Sequence, residues 1–150
     1  MLTIPDFKEL LSLLDKHKVR YLVVGGYAVM KYTEPRFTKD LDLWIATDEQ
    51  NAEATFAALK EFGAPLKDLA PRDFMQEGYF YQMGCPPFRL DVMMSLPGVV
   101  FETAWASREI SHVEGLTIPF ISKADLIKAK EASDRDQDRI DVKKLRRTSD

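Results

Sequence analysis

Two aspartates stand inside a run that is otherwise apolar, Asp40-Leu41-Asp42-Leu43-Trp44-Ile45. The two-residue period of a strand puts Leu41, Leu43 and Ile45 on one face and Asp40, Asp42 and Trp44 on the other. Aspartate is disfavoured in strands, so two of them flanking a leucine differ from ordinary surface acids. Upstream, Tyr21-Leu-Val-Val24 reads as a short buried strand that runs into Gly25-Gly26. Thirteen residues then separate Gly26 from Asp40.

The rest of the chain supports a sheet with helices around it. Pro5 opens a helical pattern that places Phe7, Leu10, Leu11 and Leu14 on one face. The two glycines lead into a helix through about Lys31, and Pro35 marks a loop. Residues Asn51 to Phe62 form a helix closed by Gly63 and Pro65, and residues 64–77 look irregular. Strands follow at Gly78 to Met83 and Phe88 to Met94, joined by Gly84-Cys85-Pro86-Pro87. A hairpin spans Arg108 to Val113 and Leu116 to Phe120 around Glu114-Gly115. Ser122 caps a charged helix, with Asp125 three residues on; helix continues to about Arg147, with a break near Ser133. This order predicts an α+β fold, a mixed sheet of five to six strands with helices mainly on one face, in a single domain over residues 1–150.

Composition removes several classes. Apolar residues make up 45% of the 150-residue chain, too many for a disordered protein. No apolar run approaches the roughly 18 residues of a membrane span. The N-terminus, Met-Leu-Thr-Ile-Pro-Asp-Phe-Lys-Glu, does not read as a signal peptide. One cysteine, Cys85, permits no internal disulfide and fits a reducing, cytoplasmic setting. A net charge of −3 argues against broad binding of long nucleic acid, though not against a local basic patch. His17 and His112 are isolated, without zinc spacing. Phe74, Tyr79, Phe80 and Tyr81 read as packing residues before they read as a base-stacking surface.

Chemistry concentrates in three places. Asp40 and Asp42 project from one face with Cα atoms about 6.5–7 Å apart, close enough for both to reach a hard cation or to bracket two. Magnesium takes oxygen ligands, commonly one or two carboxylates plus substrate phosphates. Gly25 and Gly26, between a strand and a helix, allow close backbone approach, and the N–H groups there favour a phosphate. No Lys-Ser/Thr pair follows them, so this is not a P-loop. Asp91 lies with Arg89 on the polar face of a strand whose other face is Phe88, Leu90, Val92 and Met94. If that strand neighbours the first, three carboxylates converge; the bland alternative is an ion pair from Asp91 to Arg89 or Arg36.

The series Gly25-Gly26, Asp40-Leu41-Asp42-Leu43 and Asp91-Val92 resembles the nucleotidyltransferase superfamily with the DNA-polymerase-β-type palm. Arg36-Phe37-Thr38-Lys39-Asp40-Leu41-Asp42 is similar to a pattern of small bacterial and archaeal nucleotidyltransferase-like proteins, including the core of AbiEii-type toxins. So is Arg135-Asp-Gln-Asp138-Arg-Ile-Asp141-Val-Lys-Lys-Leu145, in which Gln137 stands where the pattern has lysine. The resemblance spans about residues 20–145. It implies that Gly25 and Gly26 hold a triphosphate and that Asp40 and Asp42 bind Mg2+, with Mn2+ as a substitute. Asp91 would be a third ligand or the base for an acceptor hydroxyl. Arg36, Thr38, Lys123 and Lys128 are implied phosphate contacts, and Arg135, Asp138 and Asp141 an ion-pair set that holds the last helix.

The expected reaction moves an NMP group from an NTP to a hydroxyl and releases pyrophosphate. The acceptor stays open between tRNA, protein and a small molecule, and a homodimer or partner protein is also open. A catalytically silent nucleotide-binding or regulatory module, of the kind that serves a toxin–antitoxin or defence pair, is the competing expectation. A glycosyltransferase Asp-x-Asp is disfavoured, because only 39 residues precede Asp40.

Overall fold

The computed structural model describes residues 1, 4–85 and 87–148; Pro86 of the expected turn and the Cys85 side chain lie outside that description. Helix α1 (Pro5–Lys16) starts with proline at its first turn and buries Phe7, Leu10, Leu11 and Leu14. Strand β1 (Tyr21–Val24) is buried along its whole length and passes without a loop into α2 (Gly25–Tyr32). Strand β2 (Asp40–Ile45) alternates as expected until Trp44, which is buried on the acidic face. Asp48, not Asn51, begins helix α3 (Glu49–Phe62): its carboxylate accepts from the Asn51 N–H at 3.1 Å. Gly63 ends α3 in the left-handed conformation.

The stretch expected to be irregular contains a 3-10 turn, Pro71–Met75, that buries Phe74. The next hairpin is β3 (Phe80–Cys85) and β4 (Phe88–Met93). Helix α4 (Phe101–Ala106) has no counterpart in the sequence pattern. Six residues are too few to display a helical period; tertiary contact holds them, with Phe101 edge-on to Trp44 at 5.1 Å and stacked on Trp105. The second hairpin is β5 (Glu109–Val113) and β6 (Leu116–Phe120). Ser122 caps α5 (Lys123–Ser133), and a left-handed Asp134 separates it from α6 (Asp136–Arg147).

The six strands form one mixed sheet in the order β3-β4-β2-β1-β6-β5. β1 pairs antiparallel with β2 and parallel with β6, and β2 pairs parallel with β4. The central strands carry the core: Leu22, Val23, Leu41, Leu43, Ile45, Leu90 and Val92 are all buried, together with Phe7 and Leu11 of α1 and Leu59 of α3. Among the described residues no helix is long and apolar enough to cross a membrane.

Candidate active site

The parallel pairing of β2 with β4 decides the site. Asp42 stands opposite Asp91, and Asp40 opposite Arg89. Equal register on neighbouring strands points these four side chains to the same side of the sheet. The two strands are neighbours, and three carboxylates share one face. The ion pair that competed with that arrangement is present as well. Arg89 Nη2 donates to Asp91 Oδ2 at 3.1 Å and to Asp40 Oδ2 at 3.2 Å, so a guanidinium bridges two of the acids. Among the described residues no three such side chains close on one point as a preformed cation cage.

Asp91 is 6% exposed, and its Oδ1 is buried without a hydrogen-bond partner. Asp42 is pushed up to about 7, first by burial, then by the hydrogen bond and negative charge of Asp91 and by the charge of Asp40; Arg89 opposes the rise. Near neutral pH Asp42 is thus partly protonated, and a divalent cation beside it would favour its charged form. All-carboxylate donors, a buried oxygen without a partner and a carboxyl held away from its charged form fit a hard divalent cation of the magnesium type.

The glycine turn abuts this pair. Gly25 has φ +68°, and a Cβ there would lie 2.0 Å from Asp42 Oδ2. Only a residue without a side chain fits between β1 and that carboxylate. A Cβ at Gly26 would meet Thr38 Oγ1 at 3.2 Å and an Arg36 guanidinium nitrogen at 3.5 Å. Gly25, Gly26, Arg36, Thr38 and Asp42 are therefore neighbours. Thr38 has a local task too: its Oγ1 accepts from the Asp40 N–H at 3.3 Å, fixing the entry to β2.

Arg36 is already engaged. Its Nη1 donates to Asp141 Oδ1 at 2.6 Å, and Asp141 is fully buried. Lys130 Nζ lies 3.0 Å from Asp141 and 3.3 Å from Asp138, and Arg135 Nε lies 2.8 Å from Asp138. Burial raises both aspartates, yet the hydrogen bonds prevail and hold them below the usual carboxylate range: from Arg135 and Lys130 on Asp138, and from Arg36, Lys130 and Gln137 on Asp141. This network ties α5 and α6 to the loop before β2.

The two lysines named from the sequence lie elsewhere. Lys123 donates to the Thr148 carbonyl at the end of α6. Lys128 is exposed, and its own carbonyl lies under Gly98, 3.1 Å from where a Cβ would be. The lysine that turns inward is Lys130, its side chain 11% exposed. Helical phase separates them, since two positions on a helix differ by about 200°. Arg89, which the sequence reading did not place in the site, was legible from its shared face with Asp91.

The sequence profile of the aminoglycoside-2''-adenylyltransferase family matches residues 6–145. The chain belongs to that family. It is a nucleotidyltransferase, in agreement with the resemblance carried by its motifs. Solved structures agree on the fold. A lincosamide antibiotic adenylyltransferase, LnuA, crystallised with lincomycin, superposes with a TM-score of 0.61 at 19% identity over 96% of each chain. A putative nucleotidyltransferase from Thermotoga maritima gives 0.60 at 16% identity, over 92% of this chain and 88% of that one. An antigenic nucleotidyltransferase-like protein from Paracoccidioides brasiliensis gives 0.54 at 18%, over 91% and 71%. No protein of curated function matches the sequence significantly.

Proposed function

We propose that this protein transfers an NMP group, AMP in the first instance, from a magnesium-bound NTP to a hydroxyl of a small molecule. The observation that carries the reading is the register of Asp42 against Asp91 beside the glycine turn. The adenylyl donor and small-molecule acceptor are supported by the family's name and by the antibiotic bound to LnuA.

Each residue has a task that follows from its place. The N–H groups of Gly25 and Gly26, at the start of α2, bind the triphosphate. Asp40, Asp42 and Asp91 would hold the metal, which when bound neutralises charge on the phosphate oxygens. Asp91 takes the proton of the acceptor hydroxyl. The hydroxyl oxygen bonds to the α-phosphorus, the bond from that phosphorus to the bridging oxygen breaks, and pyrophosphate leaves. Arg36 and Thr38, beside Gly26, orient the phosphates, with Asp141 holding the Arg36 guanidinium in place. Arg89, which bridges Asp40 and Asp91, would have to give up that pairing for both acids to hold a metal.

The test is pyrophosphate release from ATP and each other NTP with magnesium and a metabolite extract as acceptor source. Release by the parent, lost in Asp42→Asn and Asp91→Asn, is expected. Release that survives either substitution would show that the site lies elsewhere.

A further inference from the structure

A cavity of about 290 Å³ opens beside Asp91, on the side away from the glycine turn. Its walls are Tyr79, Phe80, Gln82, Asp91, Met93 and Ser95. Gln82 stands opposite Asp91 and Phe80 opposite Met93 across the β3–β4 pair, so these side chains share the face of the carboxylates. Strand β4 lies between β2 and β3, while Gly25 adjoins β2 from the other flank. With phosphates at the glycine turn, the cavity lies across Asp91 from the donor, where an acceptor oxygen must approach.

The lining is informative about charge. Asp91 is its only carboxylate, and Arg89 already pairs with Asp91. The remaining polar side chains, Tyr79, Gln82 and Ser95, are neutral. Tyr79 and Phe80 are 64% and 61% exposed, an unusual state for large rings beside an active carboxylate. A site for a polycation presents several unpaired acids, because complementary charge sets specificity; this one presents a ring surface and an amide. A polyanion would find no lysine or arginine in this lining either. The volume lies just below the roughly 300–1,000 Å³ of ligand sites, which suits one ring of an acceptor.

Resting on the reaction proposed above, we propose that this cavity is the acceptor subsite and that it takes a hydroxylated ring of low charge with an apolar face. The aromatic side chains pack on that face, Gln82 hydrogen-bonds to its hydroxyls, and Asp91 receives the proton of the one that reacts. The chain thereby departs from the polycationic acceptor class after which its family is named.

The experiment measures transfer of label from α-labelled ATP with magnesium to four acceptors: lincomycin, phenyl β-D-glucoside, kanamycin and an RNA oligonucleotide ending in CCA. ATP binding and label release to water are followed in the same samples. Lincomycin or the phenyl glucoside should be labelled at least tenfold faster than kanamycin or the RNA. Phe80→Ser, at an exposed position that folding does not need, should raise the acceptor KM about tenfold and leave the KM for ATP in place. Preferred labelling of kanamycin or the RNA, or an acceptor KM that ignores Phe80→Ser, overturns the proposal while the transferase reading stands. The proposal is likewise overturned if ATP is consumed in an Asp42-dependent way but none of the four is labelled. Absence of ATP binding and turnover overturns both.

Discussion

Asp42 and Asp91 face each other in register across two parallel strands, and the nearer glycine leaves no room for even a methyl group beside Asp42. Burial and the neighbouring charges of Asp91 and Asp40 disfavour the charged form of Asp42, and Arg89 offsets this only in part. The folded protein therefore carries an electrostatic cost that a divalent cation bound there would remove.

That cost sets a pH dependence. The carboxyl of Asp42 is raised to about 7 when folded, against 3.8 in the unfolded chain. The folded state binds more protons between these values, so stability falls as pH rises through the window from about 4 to 7. Asp42→Asn should raise Tm at pH 8 by roughly 3–8 °C and change it little at pH 4. Thermal unfolding at both values checks this; equal effects at the two would contradict it.

Gly25→Ala should fail in two ways. The residue takes φ +68°, and the new carbon meets Asp42 Oδ2 at 2.0 Å. Backbone strain plus displacement of a carboxylate should cost about 2–4 kcal/mol and remove transferase activity. Gly115→Ala, also at positive φ but with open space around it, should cost only about 1 kcal/mol and leave activity intact. Urea unfolding of the two variants separates clash from strain.

The network on α6 predicts an asymmetry between two lysines. Lys130→Ala leaves Asp138 and Asp141 short of a cation inside the protein and should cost about 3 kcal/mol. Lys128→Ala removes an exposed side chain and should stay within about 0.5 kcal/mol. Chemical denaturation of both variants tests the assignment. Asp141→Ala should be worse than Lys130→Ala, since it strands Arg36 as well.

Acid should weaken the same network. Asp138 and Asp141 are held below the usual carboxylate range, so their contribution is present above about pH 4. It is lost as pH falls through their folded values. In Lys130→Ala that loss should begin at higher pH, which a pH series of unfolding midpoints would show.

Much of this architecture is legible in residue order. The alternation in Asp40 to Ile45, the glycine turn and the Ser122 cap are local signals, and local physics decides them. Helix α4 is not legible, because contacts from distant residues, Trp44 on Phe101 and Arg20 on Glu102, hold its place. The convergence of Asp91 with Asp42 depends on strand order, and a sequence states strands without stating neighbours. That Lys130 turns onto Asp138 and Asp141 while Lys128 faces out is not legible, because which face of α5 meets α6 is a tertiary fact. Phe74 and Tyr81 pack inward as expected, but Tyr79 and Phe80 do not; along β3, alternation turns Phe80 to the face opposite Tyr81.

The central claim is that the α-phosphoryl group, with its nucleoside, moves to the acceptor. The most direct measurement compares ATP labelled at the α-phosphorus with ATP labelled at the γ-phosphorus, using the parent protein and Asp42→Asn with magnesium and a metabolite extract. Nucleotidyl transfer predicts α-label in a new product, γ-label only in pyrophosphate, and neither with Asp42→Asn. Label from the γ position in the product, or no product from either nucleotide while ATP still binds, would contradict it.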